Sequence, residues 1–223
     1  SSPLSTQAAV SVLQKGGNAL DAAIAASAVQ AVVEPQSTSI GGDCFCLYSQ
    51  AGSDQVIAMN GSGRAPMELS ADWLLQQGIT KIEQQSPHSV TVPTAIDAWV
   101  QLNRDYGTKP LDELLQPAIG YARDGFPIGH RVAEDFAECH DLLAGDDDIA
   151  SVYLKNGKDF QYGDLCRNSN LAKTLDAIAE NGRDGFYKGW VAKDIINKLQ
   201  SLGGVHTQDD LDQALANYVT PIK

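Results

Sequence analysis

Few side chains of the 223-residue sequence are spaced for metal or acid–base chemistry. The histidines show no ligand spacing and are dispersed at His88, His130, His140 and His206. The run Asp146-Asp147-Asp148 is expected to be a solvated loop, because a cation site needs further oxygen ligands at defined spacing. We therefore expect no metal and no cofactor.

The cysteines lack the C-x-x-C spacing of zinc sites and stand at Cys44, Cys46, Cys139 and Cys166. Cys44 and Cys46 alternate with Phe45 and Leu47, so in a strand the two thiols share one face and pack as small hydrophobes. Free thiols fit a reducing compartment. A cytoplasmic location is favoured, and a periplasmic one stays open if a signal once preceded Ser1.

Ser1 begins the sequence with a hydroxyl, which raises the question of an N-terminal nucleophile. An α-amino group with a pKa near ~8 can act as base for its own hydroxyl, but only in a fixed site. The residues after Ser1 lead directly into a predicted helix instead. We therefore do not expect Ser1 to be a catalytic nucleophile.

The overall composition is that of a globular protein with an acidic surface. A hydrophobic content of 43% allows a buried core, and the formal net charge of −12 disfavours nucleic acid and anionic lipid as partners. No apolar run reaches the roughly 20 residues of a spanning helix, and the first residues lack the pattern of a secretion signal. Nucleic acid and membrane are not expected partners.

Two helices and a hairpin are predicted to open the chain. One helix covers residues 5–15 and stops at Gly16-Gly17, and the next runs to Val33 with Asn18 as its cap and Asp21 in its first turn. The second helix is apolar nearly all round, which indicates burial between layers. Strands follow over residues 44–48 and 55–59, after which 60–66 should form a flexible loop. Bare strand edges would favour self-association of the isolated chain.

The remainder is predicted to be helical to its end, after an extended piece at 90–93. The apolar pattern of 111–122 contains Pro117, which should break it and open a new helix. Further helices cover 171–179 and 191–199, and Thr207 with Asp210 resembles a capping box. Three tryptophans are interpreted as core anchors, namely Trp73, Trp99 and Trp190. With no internal repeat or low-complexity linker, residues 1–223 are predicted to form a single domain segment.

Four groups of short strings, in order along nearly the whole chain, resemble gamma-glutamyltranspeptidases. They include Pro3-Leu4-Ser5-Thr6-Gln7-Ala8 with Gly16-Gly17-Asn18-Ala19-Leu20-Asp21; Gly63-Arg64-Ala65-Pro66; Val90-Thr91-Val92-Pro93 with Gly125-Phe126-Pro127; and Gly185-Phe186-Tyr187-Lys188-Gly189 with Asp209-Asp210-Leu211. Their shared order indicates a common family.

The resemblance implies an α/β (α+β) N-terminal nucleophile hydrolase, a four-layer αββα sandwich made as a self-cleaving precursor. This chain would be the N-terminal, mostly helical part of the large subunit, carrying a β-hairpin. The nucleophile would be a threonine that begins the small subunit, the expected partner, and gamma-glutamyl amides would be the substrates. No threonine here has the Thr-Thr-His context of that family, so no catalytic residue is expected in this chain and the chain alone is predicted to be inactive.

One departure from the family pattern concerns substrate binding. In transpeptidases of the family, a large-subunit arginine holds the substrate α-carboxylate; aligned on Ala65-Pro66, Ser62 occupies that slot and Arg64 stands two positions later. Either Arg64 reaches the pocket, or the clamp is lost, because serine cannot replace a bidentate arginine–carboxylate pair. Arg64 and Ser62 are thus the substrate-binding candidates, with a surface or structural ion pair as the alternative role of Arg64.

Three functional readings stay open at this point. The sequence Gly-Ser-Gly-Arg-Ala-Pro resembles the acylase-like branch of the family, which includes cephalosporin and glutaryl acylases. A gamma-glutamyltranspeptidase-like activity is the leading interpretation, an acylase the second, and a catalytically inert fragment the third. A Thr-Thr-His motif encoded beyond Lys223 would separate the enzymatic readings from the inert one.

Overall fold

A computed structural model describes residues 2–222, so the predictions for Ser1 and Lys223 lie outside the described residues. The helices are α1 (Pro3–Gln14), α2 (Ala19–Val33), α3 (Ala71–Gln76), α4 (Ala95–Tyr106), α5 (Leu111–Asp124), α6 (His130–Glu138), α7 (His140–Ala144), α8 (Asp147–Tyr153), α9 (Ser169–Asn181), α10 (Asp184–Tyr187), α11 (Gly189–Ser201) and α12 (Gln208–Asp212). The strands are β1 (Cys44–Ser49), β2 (Val56–Gly61), β3 (Phe126–Pro127), β4 (Leu165–Cys166) and β5 (Asn217–Val219).

The chain forms two compact units, each assembled from separate stretches of sequence. One unit comprises the residues up to Ser39 together with Gly107–Ala179, and the other comprises Ile40–Tyr106 together with the residues from Glu180 onward. The assignment of 1–223 to a single domain segment stays a prediction.

The first unit is organised around α2, which packs against both α1 and α5. The predicted cap is confirmed: the Asn18 side chain accepts from the Asp21 N–H, and the Asp21 carboxylate accepts from the Asn18 N–H. Asp21 is fully buried and also accepts from the backbone N–H and hydroxyl of Thr108. Most of α2 is buried, as its apolar composition predicted.

Two local predictions in the first unit are wrong. Pro117 lies inside the continuous helix α5, whose buried residues on both sides of it include Leu114 and Ala118. Burial of that apolar face on both sides holds the helix together despite the one hydrogen bond that proline cannot make. The acidic run is not a loop: Asp146 caps α8 by accepting from two backbone N–H groups, and Asp147 and Asp148 lie in its first turn, where the helix dipole favours them.

The second unit contains an antiparallel sheet in the order β1-β2-β5. The hairpin is confirmed, although β2 continues through Gly61 into the stretch predicted as loop. The expectation of helix to the chain's end is wrong, because β5 pairs with β2 and covers the edge that the hairpin would otherwise expose. Self-association through the remaining edges stays a prediction.

Side-chain burial confirms part of the predicted core. Cys44 and Cys46 are half-buried while Phe45 and Leu47 are exposed, so the two cysteines do share a face. Trp99 is buried, but Trp190 is 51% exposed and is not a core anchor. None of the helices formed by residues 2–222 combines the length and apolar character needed to cross a bilayer.

Candidate functional site

A cavity of about 230 Å³ in the second unit contains Arg64, one of the two predicted substrate-binding residues. Its lining is contributed by the loop after β2, by the extended residues before α4, by α12, by the segment that joins α12 to β5 and by the first residue of β5. The lining residues are Arg64, Ala65, Met67, Val92, Thr94, Asp210, Gln213, Ala214, Leu215 and Asn217.

The loop that carries Arg64, residues 62–67, was predicted to be flexible, but three hydrogen bonds tie it to residues distant in sequence. The Gly63 N–H donates to the Asp43 carboxylate at 3.1 Å, the Arg64 carbonyl accepts from the Val92 N–H at 2.8 Å, and the Met67 N–H donates to Asp210 Oδ1 at 2.8 Å. A Cβ on Gly63 would lie 2.4 Å from the Val92 carbonyl oxygen, so only glycine allows this approach. The backbone of the arginine is therefore placed by its surroundings.

Asp210 shares the cavity with Arg64 but does not neutralise it. The Asp210 side chain is buried, and it accepts from the Met67 N–H through Oδ1 and from the Thr207 N–H and hydroxyl through Oδ2. The last two bonds belong to the predicted capping box of α12, which is confirmed. Within residues 2–222 the exposed Arg64 guanidinium forms no ion pair. Arg64 thus lines the cavity without being paired to any carboxylate of those residues.

Ser62 stands apart from this cavity. It is exposed, its backbone N–H donates to Asn60 Oδ1 at 3.0 Å, and it is not among the lining residues. The structure therefore brings Arg64, and not Ser62, together with the polar groups of the cavity. The substrate-binding roles of both residues stay predictions.

The other wall of the cavity, residues 213–217, is held by side chains that the sequence did not single out. Asp97 on α4 accepts from Arg183 Nε at 2.8 Å and from the Ala216 N–H at 2.8 Å. The Arg183 guanidinium lies over the Tyr187 ring, with 4.4 Å between its Cζ and the ring centroid. Burial raises the pKa of the Tyr187 hydroxyl, which donates to the Pro93 carbonyl at 2.9 Å. Within residues 2–222 no three His, Cys, Asp or Glu side chains cluster as a metal site would require.

Comparison with known proteins assigns the chain to a family. The gamma-glutamyltranspeptidase family model matches residues 5–223. The chain is 36% identical to the glutathione hydrolase-like YwrD proenzyme of Bacillus subtilis, over 98% of the chain and 42% of that protein. It is 35% identical to the glutathione hydrolase proenzyme of Escherichia coli, over 97% of the chain and 38% of that protein.

Solved structures agree with this assignment. The gamma-glutamyltranspeptidase of Helicobacter pylori matches with a TM-score of 0.94 and 32% identity, over 100% of this chain and 64% of that chain. The cephalosporin acylase of Bacillus halodurans matches with a TM-score of 0.93 and 35% identity, over 100% of this chain and 42% of that chain.

The mixed α/β fold, mostly helical with small antiparallel sheets, is that of the N-terminal nucleophile hydrolases. The chain belongs to the gamma-glutamyltranspeptidase family. It spans roughly two fifths of the length of the two proenzymes compared above.

Proposed function

We propose that this chain is the N-terminal part of the large subunit of a gamma-glutamyltranspeptidase-like amidohydrolase or acyltransferase. A threonine nucleophile outside the chain would supply the chemistry, and the small subunit that it begins would be the partner. The family membership and the proenzyme relatives support this assignment. The chain's own contribution is then substrate binding, for which the unpaired Arg64 in its cavity is the observation that matters most.

The proposed reaction follows from the chemistry of an N-terminal threonine. The hydroxyl oxygen attacks the amide carbonyl while the α-amino group takes the hydroxyl proton and passes it to the departing amine. An acyl ester is left on the threonine. Water or an acceptor amine then attacks the ester carbonyl and takes the acyl group, and the proton that it gives up restores the threonine hydroxyl. Arg64 binds a carboxylate of the substrate and so fixes the position of its amide carbonyl.

A second candidate function is an acylase that acts on amides lacking the α-carboxylate. It is favoured by the similarity to the cephalosporin acylase of Bacillus halodurans and by Ser62 at the position where the family's transpeptidases carry arginine. The two candidates differ in whether Arg64 recognises the α-carboxylate.

The discriminating experiment uses the complete precursor, that is, this sequence together with its downstream segment. Catalytic efficiencies are measured for a gamma-glutamyl amide and for its decarboxy analogue, in the wild type and in Arg64→Ala. Removing the arginine that pairs with a buried substrate carboxylate costs roughly 2–5 kcal/mol of binding free energy. Because Arg64 is exposed in this chain, we expect a cost near the lower limit, which lowers the ratio of the two catalytic efficiencies by about 30-fold in Arg64→Ala.

Two further variants sharpen the result. Arg64→Lys should restore only part of the selectivity, because an ammonium group cannot form the bidentate pair. Arg123→Ala, which removes an exposed arginine of α5 that is not among the cavity-lining residues, is the matched control and should leave the ratio unchanged. An unchanged ratio in Arg64→Ala would remove Arg64 from carboxylate recognition and favour the acylase.

A further inference from the structure

Ala216, immediately before β5, has both of its backbone polar groups bound by side chains of α4. Its N–H donates to Asp97 Oδ2 at 2.8 Å, and its carbonyl accepts from Gln101 Nε2 at 2.9 Å. Gln101 Nε2 also donates to Asp97 Oδ2 at 2.6 Å, which ties the two side chains to each other. Ala216 is buried, so these side chains take the place that a neighbouring strand or water would otherwise fill.

Arg183 extends this arrangement to the other end of the same segment. Its Nε donates to Asp97 Oδ1, while its NH2 group donates to the carbonyls of Asp212 at 3.0 Å and Ala214 at 2.9 Å. One guanidinium thereby satisfies carbonyls left unpaired where α12 ends. The pair it forms with Asp97 is largely shielded from water, since the Asp97 side chain is only 2% exposed.

The segment bound in this way is a wall of the Arg64 cavity. Gln213, Ala214, Leu215 and Asn217 line the cavity, whereas the three side chains that hold them do not. We propose that Asp97, Gln101 and Arg183 are positioning residues, which hold residues 213–217 in place to receive the substrate that Arg64 binds. The claim that these residues serve substrate binding rests on the proposed function. The claim that they hold residues 213–217 in place does not.

The test is Gln101→Met in the complete precursor, which keeps the side chain's length and removes both of its hydrogen bonds. The matched control is Gln200→Met, because Gln200 Nε2 also donates to a backbone carbonyl, that of His206, at 2.7 Å and outside the cavity lining. We expect Gln101→Met to raise KM for the gamma-glutamyl amide by about 3- to 10-fold with kcat nearly unchanged, and the control to leave KM unchanged. Amide hydrogen exchange of residues 213–217 should be faster in Gln101→Met only.

The inference is overturned if KM stays at the wild-type value in Gln101→Met, or if Gln200→Met raises KM equally. Either result would mean that the hydrogen bonds of Gln101 stabilise the fold but do not position residues 213–217 for substrate. Failure of the proposed function is distinguishable, since a wild-type precursor that cleaves neither substrate shows it directly. In that case hydrogen exchange alone decides the support of the wall: unchanged exchange at 213–217 in Gln101→Met overturns it, and faster exchange upholds it.

Discussion

Replacing Asp97 by asparagine measures what the buried ion pair contributes to the free energy of unfolding. Removing one partner of such a pair costs about 3–5 kcal/mol, because the other charge is left without compensation. Two features of the structure place the expectation at the lower limit, about 3 kcal/mol. The Arg183 side chain is 22% exposed, so water relieves part of its charge, and asparagine keeps one oxygen that can accept from it. The amide nitrogen of asparagine, however, cannot accept from the Ala216 N–H.

The assay is equilibrium urea unfolding of the chain, with Asp105→Asn as the matched control. Asp105 lies on the same helix and pairs with Arg104, whose side chain is 66% exposed, so loss of that pair should cost about 0–1 kcal/mol. Asparagine at 105 keeps an oxygen that can still accept from the Tyr218 hydroxyl. The expected result is a destabilisation by Asp97→Asn at least twice that of the control. Equal and small effects of both substitutions would refute the reasoning, because the Asp97–Arg183 pair would then contribute no more than a surface pair.

Two further predictions concern the chain as it stands. The 223-residue chain alone should release no product from a gamma-glutamyl anilide, since we identify no nucleophile with its own base in it; turnover that survives rigorous removal of contaminating enzymes would contradict this. Burial raises the pKa of the Cys44 and Cys166 thiols to about 11, so at pH 8 only about one in a thousand is a thiolate. Iodoacetamide should therefore label the exposed Cys139 well before either of them, and peptide mass spectrometry over time measures the labelling rate of each cysteine. Equal labelling rates at the three cysteines would contradict the burial argument.

The parts of the fold that were predictable from sequence are those determined by neighbouring residues. The start of α2 is an example, because Asn18 and Asp21 satisfy each other's backbone groups within one turn. The strand β5 was not predictable, since Asn217–Val219 is short and exposed and owes its place to pairing with β2. The continuity of α5 through Pro117 likewise depends on burial against other elements, which local propensity does not report.

In the candidate site, too, the features set by neighbouring residues were predictable and those that depend on tertiary contacts were not. Arg64 was found because its glycine-flanked loop resembles a family motif, and the structure then added the cavity around it. Asp97 and Arg183 were missed, because an isolated acid and an isolated arginine are ordinarily surface residues. The available signal was weak: Asp97 stands among Ala95, Ile96, Ala98 and Trp99, an unusually apolar setting for a carboxylate.

The pairing of Val219 with Ala58 has a consequence for biosynthesis. The ribosome delivers β1 and β2 early, then the whole of Gly107–Ala179, which belongs to the other unit, and only afterwards β5. At bacterial and eukaryotic elongation rates this delay is on the order of ten seconds, far longer than a hairpin needs to form. The β2 edge of the nascent hairpin therefore stays unpaired until β5 has been synthesised. The first unit can finish folding before the sheet of the second unit is complete.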